Sequence, residues 1–221
     1  MLWIDKKDLE KVLTRDSQFQ TERVFYRAIA SNTNERTMIS TLSPKNCYCV
    51  NSIYINYEKT LISLYKKLFV ISIFNSFVFD FMIRRFVDLN VLKSCLYQCP
   101  IPQPEEKEIL SNSLYLNLIK NTSLLIAKND PENFKYLLHL EHFELSEEKV
   151  NKILNLNVED EFFKKKENEN NFIVVSLYSL TKEDFEVLLN DFEVLKNKKG
   201  EEYILFLIKG YENYLLNNKI F

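Results

Sequence analysis

The sequence predicts an α+β fold: a small, mainly antiparallel sheet packed on a long buried helix, followed by a helical C-terminal part. Three observations carry this. Strand-like apolar runs broken by Asn, Ser and Pro fill residues 20–56. A nearly continuous apolar stretch follows, and beyond residue 103 helix-starting signals recur to the end of the chain. With 221 residues, 46% hydrophobic and 14% aromatic, the chain can bury a sizeable core.

Residues 2–13 carry Leu2, Ile4, Leu9, Val12 and Leu13 among charges, a weak helical pattern. Thr21–Ala30 reads as a strand. Ser31-Asn32-Thr33-Asn34-Glu35 reads as a turn, because Asn and Ser side chains satisfy backbone groups locally. Arg36–Leu42 returns as a second strand, Pro44 and Asn46 interrupt, and Cys47–Tyr54 supplies a third. The three are expected to form an antiparallel meander, with a further short strand within 87–100. From Tyr57 to Arg85 the pattern is one long helix. Its core, Leu68–Ile83, is 16 residues long, short of the ~20 a membrane span needs, and contains Asn75 and Asp80. A central helix buried on most sides is expected, and no membrane association.

Pro100, Pro102 and Pro104 then form a stiff, extended stop. Glu105–Lys128 reads as a helix with acidic residues in its first turn, where the helix dipole favours them. Pro131 opens a helix over Glu132–His139. Ser146 is placed to cap a helix over Leu145–Leu156. The charged run Glu159–Asn171 is expected as a solvated helix or loop, and Phe172–Leu177 as the start of a helix. Thr181 is an N-cap, with Asp184 in the position of a capping-box Glu or Gln. Gly200 breaks the chain before a last helix over Glu201–Asn217. Two regions result: an α+β region over 1–103 and a helical region over 104–221.

Glycine usage excludes a class of function. The only two, Gly200 and Gly210, lie near the C-terminus. Phosphate-cradling and dinucleotide-binding turns need glycine where backbone meets ligand. No cofactor is therefore expected in this chain. Charge is uneven although the net is −2. Residues 1–103 hold 14 Lys and Arg against 9 Asp and Glu; residues 104–221 hold 15 against 22. A polyanion is expected to meet the first region. Cys47, Cys49, Cys95 and Cys99 have spacings unlike zinc sites, and no signal-peptide pattern precedes them. They read as reduced, apolar cysteines in a cytoplasmic protein. Glu147-x-Lys149 lacks the preceding strand and acidic partner of a metal-dependent nuclease.

Three ordered segments then matter together. The first is Arg23–Ile39, with Ser31-Asn32-Thr33-Asn34-Glu35-Arg36-Thr37 at its centre. The second is Phe74-Asn75-Ser76-Phe77-Val78-Phe79-Asp80 followed by Val91-Leu92-Lys93 and Cys99-Pro100-Ile101-Pro102. The third is Leu177-Tyr178-Ser179-Leu180-Thr181-Lys182-Glu183-Asp184, then Phe192-Glu193-Val194. In order and separation they resemble the C-terminal target-recognition region of type IIG restriction–modification enzymes and related adenine-N6 DNA methyltransferases, with likeness to type I specificity subunits. The family shows an (S/A)-x-T-N-E-R-T core, an L-N-S-x-x-x-D helix, a P-x-P exit and a closing L-Y-G-L-T helix start. This chain departs at Ser179 for the usual Gly and at Glu193 for the usual Pro.

The resemblance implies sequence-specific recognition of double-stranded DNA. It also implies catalysis, with S-adenosylmethionine, in a linked or partner methyltransferase domain, because the (N/D)-P-P-(Y/F) tetrapeptide does not occur here. Arg pairs bidentately with guanine and Asn with adenine, so Arg27, Asn32, Asn34 and Arg36 are candidate DNA contacts. Lys45, Lys93 and Gln98, in expected loops, are further candidates for phosphate or base. Because the Asn34–Thr37 pattern recurs among enzymes of different specificity, Glu35 and Arg36 are expected to hold the turn or a phosphate rather than read bases. Asn75 and Ser76 are expected in a buried hydrogen bond, and Arg84 and Arg85 at a helix C-terminus. The competing reading is a protein-interaction module that docks on a methyltransferase or helicase chain; an independent hydrolase lacks any catalytic constellation.

Overall fold

The computed structural model describes residues 20–218 apart from 48, 50, 57–61, 144 and 158–160. The expected helix over 2–13 lies outside the described residues. The fold is α+β. Three short strands, β1 (Val24–Arg27), β2 (Ser40–Leu42) and β3 (Ile53–Ile55), form an antiparallel sheet in the order β2-β1-β3. The expected meander is corrected: β1, not β2, is central, pairing Tyr26 with both Ser40 and Tyr54. The strand sought within 87–100 reduces to one bridge, Ile29 with Asn90. A short helix, α3 (Lys93–Leu96), follows it.

The long apolar helix is two helices, α1 (Leu64–Phe74) and α2 (Phe77–Ile83). Asn75 caps the end of the first, and the Ser76 hydroxyl caps the second by accepting from the Phe79 amide at 3.1 Å. A mid-helix Ser that finds cap geometry ends the run because its side chain competes for backbone bonds. Ser72, Asn75, Ser76 and Asp80 look like isolated polar residues in an apolar helix; two of them are its interruption. The same effect divides the next helix. Asn112 accepts from the amides of Leu114 and Tyr115, which separates α4 (Glu106–Ser111) from α5 (Ser113–Asn129).

Helix α6 (Pro131–Phe134) passes into a 3-10 turn over Lys135–His139, and Ser146 caps α7 (Glu147–Leu154). The charged run is a helix, the first half of α8 (Glu161–Leu177), mostly solvent-facing, whose later residues Ile173, Val174 and Val175 are fully buried. Phe172–Leu177 is thus the end of a helix, not its start. Helices α9 (Lys182–Asn190), α10 (Glu193–Lys199) and α11 (Glu201–Asn218) complete the chain. Thr181 and Asp184 form a complete capping box, so Asp replaces Glu or Gln there without loss of either bond. One buried apolar cluster runs through both composition regions, from Val24 to Tyr211. Cys95 and Cys99 belong to it.

The end of α8 explains an otherwise odd serine. The Leu180 amide donates to Val175 and the Ser179 amide to Ser176, the paired bonds of a Schellman stop. Ser179 has φ 54°, the left-handed conformation that glycine takes without steric cost. Glu193 stands at the first residue of α10, where proline is favoured. Both departures from the family motif therefore occupy backbone that suits the motif's residue. Ser179→Gly is expected to raise stability by about 0.5–1 kcal/mol, read as a higher urea midpoint with an unchanged slope.

Candidate nucleic-acid interface

The Ser31–Thr37 turn joins β1 to β2, and its conformation is set from within. The Asn34 side-chain oxygen accepts from the Ser31 amide at 2.7 Å, while the Asn34 amide donates to the Ser31 carbonyl at 3.1 Å. The Thr37 hydroxyl donates to the same carbonyl at 3.1 Å. Ser31 Oγ lies 2.9 Å from Thr33 Oγ1 and accepts from the Thr33 amide at 3.2 Å. Such local side-chain bonds offer the backbone an alternative to the ladder, and β2 starts only at Ser40.

Beneath the turn lies Asp80, on α2 and inaccessible to solvent. Its Oδ2 accepts from Arg36 Nε at 2.6 Å, its Oδ1 from Arg84 Nη2 at 3.1 Å, and both oxygens lie 3.1 Å from the Thr37 amide. Arg36 also donates to the Asn75 carbonyl at 2.7 Å. Each guanidinium covers a ring: Arg36 lies 4.5 Å from the Phe77 centroid and Arg84 3.9 Å from that of Phe192. Phe77 and Phe192 meet edge to face at 5.3 Å. A buried carboxylate costs several kcal/mol to desolvate unless paired and hydrogen-bonded. Here three donors surround it, so α2, the turn and α9's exit at Phe192 are held as one unit.

Asn75 makes a second tie. Its Oδ1 accepts from the Ser40 amide at 2.8 Å and its Nδ2 donates to the Ser40 carbonyl at 2.9 Å. The Ile39 carbonyl accepts from the Arg27 amide, so the alternating backbone groups of Ser40 face away from β1. The Asn75 amide thus occupies the open edge of β2 as a neighbouring strand would.

The candidate contacts divide accordingly. Arg27, Asn32, Asn34 and Arg36 do come together at one end of the sheet. Arg27 donates to the carbonyls of Arg36 and Thr37, 2.9 Å for the latter, and burial pulls its guanidinium below the usual pKa. Arg27 and Arg36 are thus hydrogen-bonded within the protein, and Arg36 holds the turn, the role expected of it over base reading. Asn34 is exposed but its oxygen is taken by Ser31. Asn32 is exposed, and its amide makes one weak contact, accepting from Ser31 Oγ at 3.3 Å. Lys45 lies at the opposite end of the sheet, 3.4 Å from Glu22. Lys93 opens α3, with its ammonium 5.4 Å from the Tyr97 ring, and Gln98 follows that helix, donating to Ser94 at 3.5 Å. Arg84 and Arg85 reach Asp80 and Asp191 instead of serving only a helix terminus.

Sequence reasoning missed the part played by Asp80. The available signal was an acid four residues before Arg84 in an apolar run, where a lone carboxylate demands a partner. It also missed Lys198, which reaches across to Glu35 at 3.1 Å and ties α10 to the turn. A groove of about 1440 Å³ begins at Glu35 and Arg36 and runs between α5, α8 and α11. Among the described residues no group of three or more His, Cys, Asp or Glu could hold a metal ion, and no helix is long and apolar enough to cross a membrane. Comparison with family models, with curated proteins and with solved structures finds no match.

Proposed function

We propose that this chain recognises double-stranded DNA by sequence, as the target-recognition part of an adenine-N6 DNA methyltransferase of the restriction–modification type. Catalysis and S-adenosylmethionine binding then reside in a linked or partner domain. The observation that carries the reading is the turn: Asp80 and Arg36 hold it from beneath and Asn34 from within, leaving the exposed Asn32 amide with one weak bond. A rigid tip bearing one free amide suits an adenine edge, where Asn bonds bidentately. The three ordered motifs add support, because the first two meet physically as Arg36 on Asp80 and Ser40 on Asn75. So do Ser179 and Glu193, whose backbone suits the Gly and Pro of the third.

The test is titration of a fluorescent random-sequence duplex by anisotropy, followed by selection of the preferred site from a duplex library. Asn32→Ala is expected to reduce discrimination at one base pair by about 1–3 kcal/mol, with binding to random duplex little changed. No duplex binding at low salt would sink the reading.

One observation favours docking on a catalytic chain as a second role. Ile29 and Leu89 are 60% and 67% exposed at the Ile29–Asn90 bridge, beside exposed Leu92. Contiguous exposed apolar side chains mark interaction surfaces. Co-purification with an adenine methyltransferase chain, lost in Leu89→Asp, is the expected result; co-purification unaffected by that change rules out this patch.

A further inference from the structure

The acidic half of the chain carries two lysine clusters that the fold brings to the recognition turn. Lys164, Lys165 and Lys166 lie in the first half of α8, and Lys196, Lys198 and Lys199 in the last turn of α10. They are some thirty residues apart in sequence. Lys198 is anchored to Glu35 of the turn at 3.1 Å, which fixes the α10 cluster beside it. Lys164, Lys165 and Lys199 line the same groove as Glu35 and Arg36. All three are exposed, and none has an ion-pair partner among the described residues.

Two of the four carboxylates that line the groove are engaged by lysines outside this trio. Glu35 is paired with Lys198 and Glu169 with Lys166, the latter at 2.8 Å. Glu167 lies between the clusters, where Arg36, Lys164 and Lys199 act on it; desolvation pushes its carboxyl pKa up although the residue keeps an exposed face. Glu161 completes the acids of the groove wall. Asp80 holds Arg36, so the cations left unengaged here are lysines. Lysine is a mobile point charge on a long stem, suited to phosphate oxygens whose positions vary with sequence.

We infer that Lys164, Lys165 and Lys199 form a phosphate-binding rim for nucleic acid, continuous with the Ser31–Thr37 turn and supplied by the half of the chain whose net charge is negative. The inference rests on the DNA-reading function proposed above. It gives the helical region a task in that reading: the turn reads, while the rim sets the register of the backbone that passes it.

The experiment is anisotropy on the random-sequence duplex across a range of salt, comparing the native chain with Lys164→Gln/Lys165→Gln/Lys199→Gln. A second triple variant, Lys107→Gln/Lys149→Gln/Lys152→Gln, removes the same charge from exposed positions outside the groove. Each phosphate contact contributes about 0.9 to the log–log salt slope. The rim variant is expected to lose roughly 2–3 units of slope and to bind more weakly on every duplex alike. The control variant is expected to keep the native slope. Native slope in the rim variant, or an equal loss in both variants, overturns the rim while leaving DNA reading intact. Absence of duplex binding by the native chain overturns the reading and the rim with it. Circular dichroism and the urea midpoint check that all three proteins fold alike.

Discussion

Asp80→Ala is expected to destabilise the fold by about 3–5 kcal/mol, the range for removing one partner from a buried ion pair. The loss is large because the carboxylate serves three donors at once. Without it the Arg84 guanidinium, 7% exposed, stays buried on Phe192 with its other bonds too long or absent. The Thr37 amide, in a fully buried residue, loses both acceptors. Arg36, more open to water, can swing out and rehydrate, which takes the turn's support with it. Urea denaturation should show a lower midpoint with little change in slope. Asp80→Asn keeps the shape and one acceptor and should cost less, since a neutral amide still accepts but leaves two guanidinium charges uncompensated. Equal stability of Asp80→Ala and the native protein would show that the cluster is not what holds the turn.

Asn75→Ala is the second large effect, at about 2–4 kcal/mol. It strands the amide and carbonyl of Ser40, a residue only 6% exposed, and each unsatisfied buried group costs about 1–3 kcal/mol. It also uncovers the edge of β2, so the variant should aggregate more readily than its stability alone predicts.

How far the sequence reaches is visible in these same residues. The α+β class, the strand–turn–strand over 24–42 and the helical second half follow from apolar runs and local caps, which depend on neighbours a few residues away. Thr181 with Asp184 and Gly200 with φ 83° were readable for that reason. Strand order was not, because nothing local distinguishes β1 from β2 as the central strand; the pairing of Arg27 with Ile53 spans a long loop. The break at Asn75-Ser76 was hidden by apolar residues on either side. Beside the Ser76 cap, it is fixed by a strand edge thirty-five residues earlier that binds the Asn75 side chain. In the same way Arg36 is expected to hold the turn, but its partner Asp80, forty-four residues on, cannot be read from local sequence. The lysines of α8 and α10 are invisible to a charge count by halves, since their meeting depends on Lys198 reaching Glu35.

The central claim is that the held turn presents its tip to duplex DNA. Amide hydrogen exchange, resolved across residues 31–37 with and without saturating duplex at low salt, addresses it most directly. In the free protein the Thr37 amide should exchange slowly, sealed on Asp80, while the exposed Asn32 amide exchanges fast. On adding duplex, Asn32 to Asn34 should gain protection and Thr37 should change little. Protection confined to segments outside 31–37, with the turn unchanged under saturating duplex, would contradict the account.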